Sequence, residues 1–159
     1  MVLVPAGPVL GAEPPASAQR KGSGLPIPRF ATLKSDEVNV RTGPGSRYPI
    51  DWVFKRKGMP VEIVAEYENF RKIRDWQGAS GWVYQGLLTG KRSFIIPSKV
   101  ANLYKTPATS AEVVAKLEPE VMGEIRSCQG DWCRVKVSSV SGWLQRTEIW
   151  GVYKSEPVN

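Results

Sequence analysis

Val38-Asn39-Val40-Arg41-Thr42-Gly43-Pro44 and Ala101-Asn102-Leu103-Tyr104-Lys105-Thr106-Pro107 are one pattern written twice, 63 residues apart. Asparagine and proline keep their places in both copies. The apolar and polar residues before the break alternate with the period of two that a half-buried strand requires, and the run then ends in a turn.

Working outward, Glu62-Ile63 lies against Glu124-Ile125 and Ile73 against Val135 at an offset of 62, and Ser80-Gly81-Trp82 against Ser141-Gly142-Trp143 at 61. One or two single-residue indels reconcile the copies. Phe70 falls on Trp132, each followed by alternating residues, so the repeating unit is about sixty residues, the size of one small domain. Within each unit short strands are separated by turn signals: Glu37 to Arg41 alternates, Thr42-Gly43-Pro44-Gly45 breaks it, and Val61 to Glu66 resumes. No segment of helical length keeps a 3.6-residue period without meeting Gly or Pro. The expected fold is therefore all-β, two tandem small β-barrels, since closing a short meander pairs edges that would otherwise stand bare.

Composition agrees. Gly (15), Pro (13) and Trp (6) are numerous, and a 42% apolar fraction is too high for a wholly disordered chain. No stretch approaches the roughly 20 apolar residues of a membrane-spanning helix, so no stable membrane insertion is expected. Residues 1–18 combine an apolar run with Ala16-Ser17-Ala18, a small-x-small triplet of the kind signal peptidase cuts after. They are expected to be a signal peptide, the alternative being a disordered leader; no Lys or Arg precedes the run, and Pro5 and Pro8 interrupt it. Residues 19–29 are expected to be linker, 30–92 the first barrel and 93–155 the second.

The chain carries a formal charge of +7, and residues 29–92 hold 12 basic and 7 acidic groups against 8 and 7 in 93–159. An anionic or carboxylate-rich partner is expected, captured by the first half.

With these residues in view, the first unit resembles the bacterial SH3-like (SH3b) family, whose signature runs from x-V-N-V-R-x-G-P to G-W-V. Here those are Glu37 to Pro44 and Gly81-Trp82-Val83, with Val53 to Gly58 like the family's strand ending in a basic-Gly turn. The second unit departs: Arg41 becomes Tyr104, Gly43 becomes Thr106, and the basic turn becomes Glu118-Pro119-Glu120. The resemblance implies two SH3-like barrels of which only the first keeps the ligand face. It also implies an exported module that binds cell-wall peptide or an envelope protein, without the hydrolase domain that often accompanies such modules. A periplasmic or secreted location follows from that reading.

Cys128 and Cys133 flank a four-residue turn, and the repeat alignment sets them opposite each other on one hairpin, where an oxidising compartment would join them. A six-residue ring contributes about 2 kcal/mol on a chain-entropy view. The first unit holds Glu66 and Arg71 at the same positions, a cross-strand opposite-charge pair expected to be exposed and worth roughly 0.2–1 kcal/mol. Zinc would need further soft ligands, yet the chain has no His and only these two Cys, so no metal or cofactor is expected.

The absence of His also removes every Ser-His, Cys-His and His-metal mechanism, and no pair of carboxylates sits in a cleft-forming motif, so the chain is expected not to be an enzyme. The ligand-binding candidates are Arg41, Arg47, Tyr48, Trp52, Trp76 and Tyr84, flat rings beside guanidinium groups that suit peptides and carboxylates. Each also has a packing role open to it: Trp52 and Trp82 as barrel core, Arg41 as a brace for its own loop. Asn39 and Asn102 are expected to fix the following turn through a side-chain bond, and Lys55-Arg56-Lys57 to be a solvated hairpin tip. Two further readings stand beside wall binding. Leu25-Pro26-Ile27-Pro28-Arg29 resembles a polyproline ligand that could dock on this chain's own barrel; nucleic-acid binding, permitted by basic charge and aromatic residues, is disfavoured by export. The sequence fixes no oligomeric state.

Overall fold

The computed structural model describes residues 22–159. The leader expected over 1–18 lies outside the described residues. Strands β1 (Arg29–Leu33), β2 (Val38–Arg41), β3 (Ile50–Phe54), β4 (Pro60–Tyr67), β5 (Phe70–Arg74), β6 (Ser80–Tyr84) and β7 (Leu88–Thr89) form one sheet. A second sheet comprises β8 (Ser93–Ile95), β9 (Ala101–Tyr104), β10 (Val113–Leu117), β11 (Met122–Gln129), β12 (Trp132–Val137) and β13 (Val140–Gln145). The strand orders are β3-β2-β6-β5-β4-β1-β7 and β10-β9-β13-β12-β11-β8, the same order twice with one added edge strand. Every pairing is antiparallel. No described helix is long and apolar enough to cross a membrane.

The repeat offsets map onto these elements. β2 and β3 lie 63 residues before β9 and β10, β4 and β5 start 62 before β11 and β12, and the 3-10 turns Gln85–Leu87 and Arg146–Glu148 lie 61 apart. The residue lost last comes from the β5–β6 hairpin, where Asp75 accepts the amides of Gln77 and Ala79 at 3.0 and 2.9 Å; its counterpart is a tight turn through Ser138.

Each sheet wraps its own core. Leu33, Val38, Val40, Val61, Ile73 and Val83 are essentially inaccessible in the first, and Phe94, Ile96, Leu103, Val135 and Leu144 in the second. Both Ser-Gly-Trp copies owe their glycine to a close crossing. A Cβ on Gly81 would run into the Val40 side chain, and one on Gly142 would sit 2.6 Å from Leu103 Cγ and 2.8 Å from the Tyr104 carbonyl. The tryptophan that follows is not core as expected. Val83 is fully buried, so alternation turns Trp82 to the opposite face, where it pairs across the ladder with Lys72 and Arg41.

The two cores are filled by exchanging volume between neighbouring strands. Ala31 on β1 faces Val61 on β4, whereas at the equivalent register Phe94 on β8 faces Gly123 on β11. A Cβ on Gly123 would lie 2.7 Å from the Phe94 ring and 2.6 Å from the Lys136 carbonyl.

Cys128 and Cys133 are paired in register, form the disulfide with Cα atoms 4.1 Å apart, and are fully buried. Glu66 and Arg71 hold the equivalent register in the first sheet. Contrary to expectation that pair is not exposed: Glu66 is 3% accessible and Arg71 6%. The segment 22–28, expected to be linker, is what covers it. The Ser23 amide and hydroxyl donate to the Glu66 carboxylate at 2.7 and 2.6 Å, and Arg29, which begins β1, approaches it to 2.6 Å. Arg71 lies 3.5 Å from Glu66 and donates to the carbonyls of Glu68 and Phe70 and to Gln85 Oε1. In the second barrel the cover comes from residues beyond the expected boundary at 155. Val158 exchanges both backbone bonds with Cys128, at 2.7 and 3.1 Å. Arg146, standing where Gln85 stands in the first copy, donates to the carbonyls of Gly130, Tyr153 and Glu156.

The barrels meet along β1 and the stretch 150–156. Phe30 packs edge-on to Trp150 at 4.9 Å and against Tyr153 at 4.5 Å. Arg92 sits 5.7 Å over the Phe30 ring, grips both Glu156 oxygens at 2.8 Å, and donates to the Gly151 carbonyl at 2.8 Å. The Tyr153 hydroxyl donates to Glu62 at 2.6 Å, and Arg56 reaches from the basic turn to the Glu120 carbonyl at 2.8 Å.

Three outcomes follow. Gly123→Ala should cost about 1–3 kcal/mol in chemical denaturation, because neither the ring nor the carbonyl has room to retreat. Glu66→Gln should cost about 3 kcal/mol by the same measurement, because it strands two guanidinium groups against a buried neutral amide. The third concerns pH. Burial would raise the carboxyl groups of Glu66 and Glu156, but the donors on each reverse it: Ser23 and Arg29 on the first, Arg92, the Tyr153 amide and Arg146 on the second. Both are held below the ordinary range. Their stabilisation is complete above the unfolded carboxyl pKa and is lost as pH falls through the folded one; Glu148, raised by burial, softens that loss. Burial and the bond to Glu62 raise Tyr153, whose contribution is complete below the unfolded tyrosine pKa and is lost as pH rises from there through the folded one. Melting temperature should therefore be flat between about pH 5 and 10 and fall on either side, with Glu66→Gln flattening the acid limb.

Candidate functional site

The loop between β2 and β3, residues 42–49, is held from inside. Arg41 Nη1 donates to the carbonyls of Ser46 and Tyr48 at 3.1 and 2.9 Å, the bracing role open to it from the sequence. Tyr48 lies flat over Gly43, where any Cβ would collide with its ring. Arg47 stacks on the outer face of that ring, 5.1 Å from its centroid, and reaches its hydroxyl at 3.3 Å. The second copy loses both partners of this contact together, since Thr106 and Ala111 stand where Gly43 and Tyr48 do.

Beside the braced loop lies a groove of about 340 Å³ lined by Asn39, Arg41, Ser46, Asn69, Phe70, Tyr84 and Leu87. Tyr84 is 49% exposed and meets Phe70 edge-on at 6.0 Å, so two rings form one wall. Arg41 forms the other. Its Nη2 and Nε have no protein acceptor among the described residues, which leaves a forked donor pair unspent on a residue that lines the same groove as the two rings. Among the described residues no carboxylate lines the groove. The arrangement can hold a peptide backbone by the two asparagine amides, a flat or apolar side chain on the rings, and a carboxylate on the guanidinium.

Of the residues singled out from sequence, the fold brings Arg41 and Tyr84 into this groove and places Arg47 and Tyr48 on the loop that borders it. Trp52 and Trp76 go elsewhere. Both are half-buried against the first core, Trp52 edge-on to Phe54 at 5.7 Å and Trp76 on the Asp75 hairpin. Asn39, Ser46, Asn69, Phe70 and Leu87 were not foreseen. Neither Asn39 nor Asn102 makes the expected turn-fixing side-chain bond among the described residues; Asn39 faces the groove instead. The signal was present in two forms, an asparagine kept at that place in both copies and an aromatic residue kept at Phe70 and Trp132.

In the second barrel the equivalent positions carry Asn102, Tyr104, Asp131, Trp132 and Gln145. Tyr104 stands edge-on to Trp132 at 5.7 Å, so a ring occupies the place of the forked donor and an acid that of Asn69. Leu25, Pro26, Pro28 and Arg29 of the polyproline-like segment form part of the wall of a different groove of about 630 Å³, with Arg71, Leu88, Arg92 and Tyr153, that shares no residue with the Arg41–Tyr84 groove.

Comparison with known proteins agrees with this two-fold organisation. Residues 34–90 and 98–151 each match the family described as bacterial SH3 domain. A putative N-acetylmuramoyl-L-alanine amidase, YrvJ, of Bacillus subtilis (strain 168) is 27% identical over 125 residues, which are 72% of this chain and 24% of that protein. The chain thus spans about a quarter of that relative's length. Among solved structures, NlpC2 from Trichomonas vaginalis is 12% identical with a TM-score of 0.35, over 79% of this chain and 49% of that one. An NlpC/P60 family protein from Bacillus cereus ATCC 10987 is 14% identical with a TM-score of 0.35, over 79% and 57%.

Arg41→Ala should release the loop. Amide hydrogen exchange at Thr42, Gly45 and Tyr48, whose N–H groups bond within it, should quicken about 10-fold or more relative to the β5 amides, at a cost of about 1–2 kcal/mol for two lost bonds to a charged donor. With the domain matched at both repeats and the fold agreeing, the chain belongs to the bacterial SH3 domain family and carries that domain twice.

Proposed function

We propose that this chain is a non-enzymatic binding module of the cell envelope. Its first barrel takes a cell-wall peptide, or an extended segment of an envelope protein, in the Arg41–Tyr84 groove. The observation that carries the reading is the composition of that groove: a forked cation with unused donors, two rings, two side-chain amides and no acid. A short peptide offering a carboxylate and exposed backbone amides satisfies each of these, and the lining holds no His, Cys, Lys or carboxylate to activate the Ser46 or Tyr84 hydroxyl as a nucleophile.

Three further observations support the setting. The buried disulfide suits an oxidising compartment outside the cytoplasm. The basic excess falls on the barrel with the groove. The relative from Bacillus subtilis is named for an amidase of N-acetylmuramoyl-L-alanine, and the stretch shared with it is a quarter of that protein; in this reading the present chain supplies the wall-recognition part.

Co-sedimentation of the full chain with purified peptidoglycan tests this. The wild-type chain should pellet, and Tyr84→Ala should weaken binding about 10-fold or more, as loss of a central aromatic anchor does. Tyr104→Ala, at the equivalent position of Arg41 in the second barrel, should leave binding within about twofold. Equal loss in both variants, or a wild-type chain that stays in solution, would contradict the proposal.

A further inference from the structure

We propose that the groove at the junction of the two barrels binds a chain of phosphate groups. This rests on a different surface from the peptide groove and stands independently of it. The cleft has a volume of about 600 Å³, within the range of small-ligand sites. Its first wall comes from the ends of β1 and the β3–β4 turn, its second from β11, and the connection from β7 to β8 forms its floor.

Lys34, Lys57 and Lys91 line it, one from each of three separate loops of the first barrel. All three are exposed, and none has an acidic partner or side-chain hydrogen bond among the described residues. The fourth cation, Arg92, is spent on Glu156 and the Gly151 carbonyl. The one carboxylate on the rim, Glu124, is drawn to Arg126 at 3.1 Å. Three lysines therefore line one cleft against a single rim carboxylate, and none of them has an ion pair of its own among the described residues. That arrangement costs self-repulsion unless an anion lies between them.

The chemistry of the lining selects among anions. Ammonium groups on flexible stems bind phosphate as point charges, whereas planar carboxylates are better read by guanidinium forks, and the one guanidinium here is already engaged. No aromatic residue lines the cleft, so there is no platform for a nucleobase. A phosphate chain without stacking bases fits what remains. Because both barrels contribute walls, the cleft exists only while the junction holds.

Titration calorimetry of the full chain with tripolyphosphate at low ionic strength, about 0.05 M, is the test. A triple Lys34→Gln, Lys57→Gln, Lys91→Gln variant should bind at least 10-fold more weakly. A Lys99→Gln, Lys105→Gln, Lys116→Gln variant removes the same charge elsewhere and should stay within twofold. These lysines are exposed, so both variants should keep the wild-type melting temperature within a few degrees. Parallel arms use phosphatidylglycerol vesicles, polyglutamate and oligo-dT. Binding of tripolyphosphate, with or without vesicles, that is lost in the first variant alone upholds the site and says whether a headgroup phosphate is also accepted. Equal loss in both triple variants, no tripolyphosphate binding, vesicle binding alone, or tighter binding of polyglutamate or oligo-dT overturns it.

Discussion

Arg92 is the residue on which the arrangement turns. Lying in the short stretch that leaves one barrel and enters the next, it takes both oxygens of Glu156 and the carbonyl of Gly151 while its guanidinium covers the Phe30 ring. Phe30 belongs to β1 of the first barrel and Glu156 to the tail of the second, so one half-buried cation closes the chain's return upon itself. Tyr153 completes the closure by bonding back to Glu62 on β4. A sixty-residue barrel buries little apolar surface by itself, and joining two across an aromatic and ionic junction is one way such small cores gain security.

The two copies differ at the hairpin that each covers with a different segment of chain. In the first barrel the hairpin that carries Glu66 and Arg71 is capped by the incoming segment through Ser23 and Arg29, which requires charge. In the second the same register is capped by Val158 through backbone bonds alone, which leaves the side chains free to become the Cys128–Cys133 disulfide. The cationic partner moves with the change: it stands at Arg71 in one copy and at Arg146, the counterpart of Gln85, in the other. Buried ionic and covalent links thus hold equivalent hairpins, each beneath a different covering segment.

The fold was legible because its marks are local. The alternation at Val38 to Arg41, the glycine that permits the β2–β6 crossing and the turn residues between them are short-range features, and they recur at offsets that shift only where hairpins shorten. The Glu66–Arg71 register was legible for the same reason. What the sequence concealed is whatever depends on segments distant along the chain. Nothing local to Glu66 says that Ser23, 43 residues away, will bury it, and nothing local to Cys128 announces Val158. The groove was half legible. Arg41 and Tyr84 stand out by type, but Asn69 and Phe70 enter the site because β4 and β5 turn at Glu68, a left-handed residue, and Trp82 misleads because its strand parity faces it away from the core.

If the two barrels are one body, both grooves keep a fixed mutual position and the cleft between them is a real surface. Residual dipolar couplings from backbone amides of both barrels, recorded in one weakly aligned sample, measure this directly. A single alignment tensor fitting residues of both sheets is the expected result. Two tensors of different magnitude and orientation would show barrels that tumble separately, and would contradict the locked junction at Arg92.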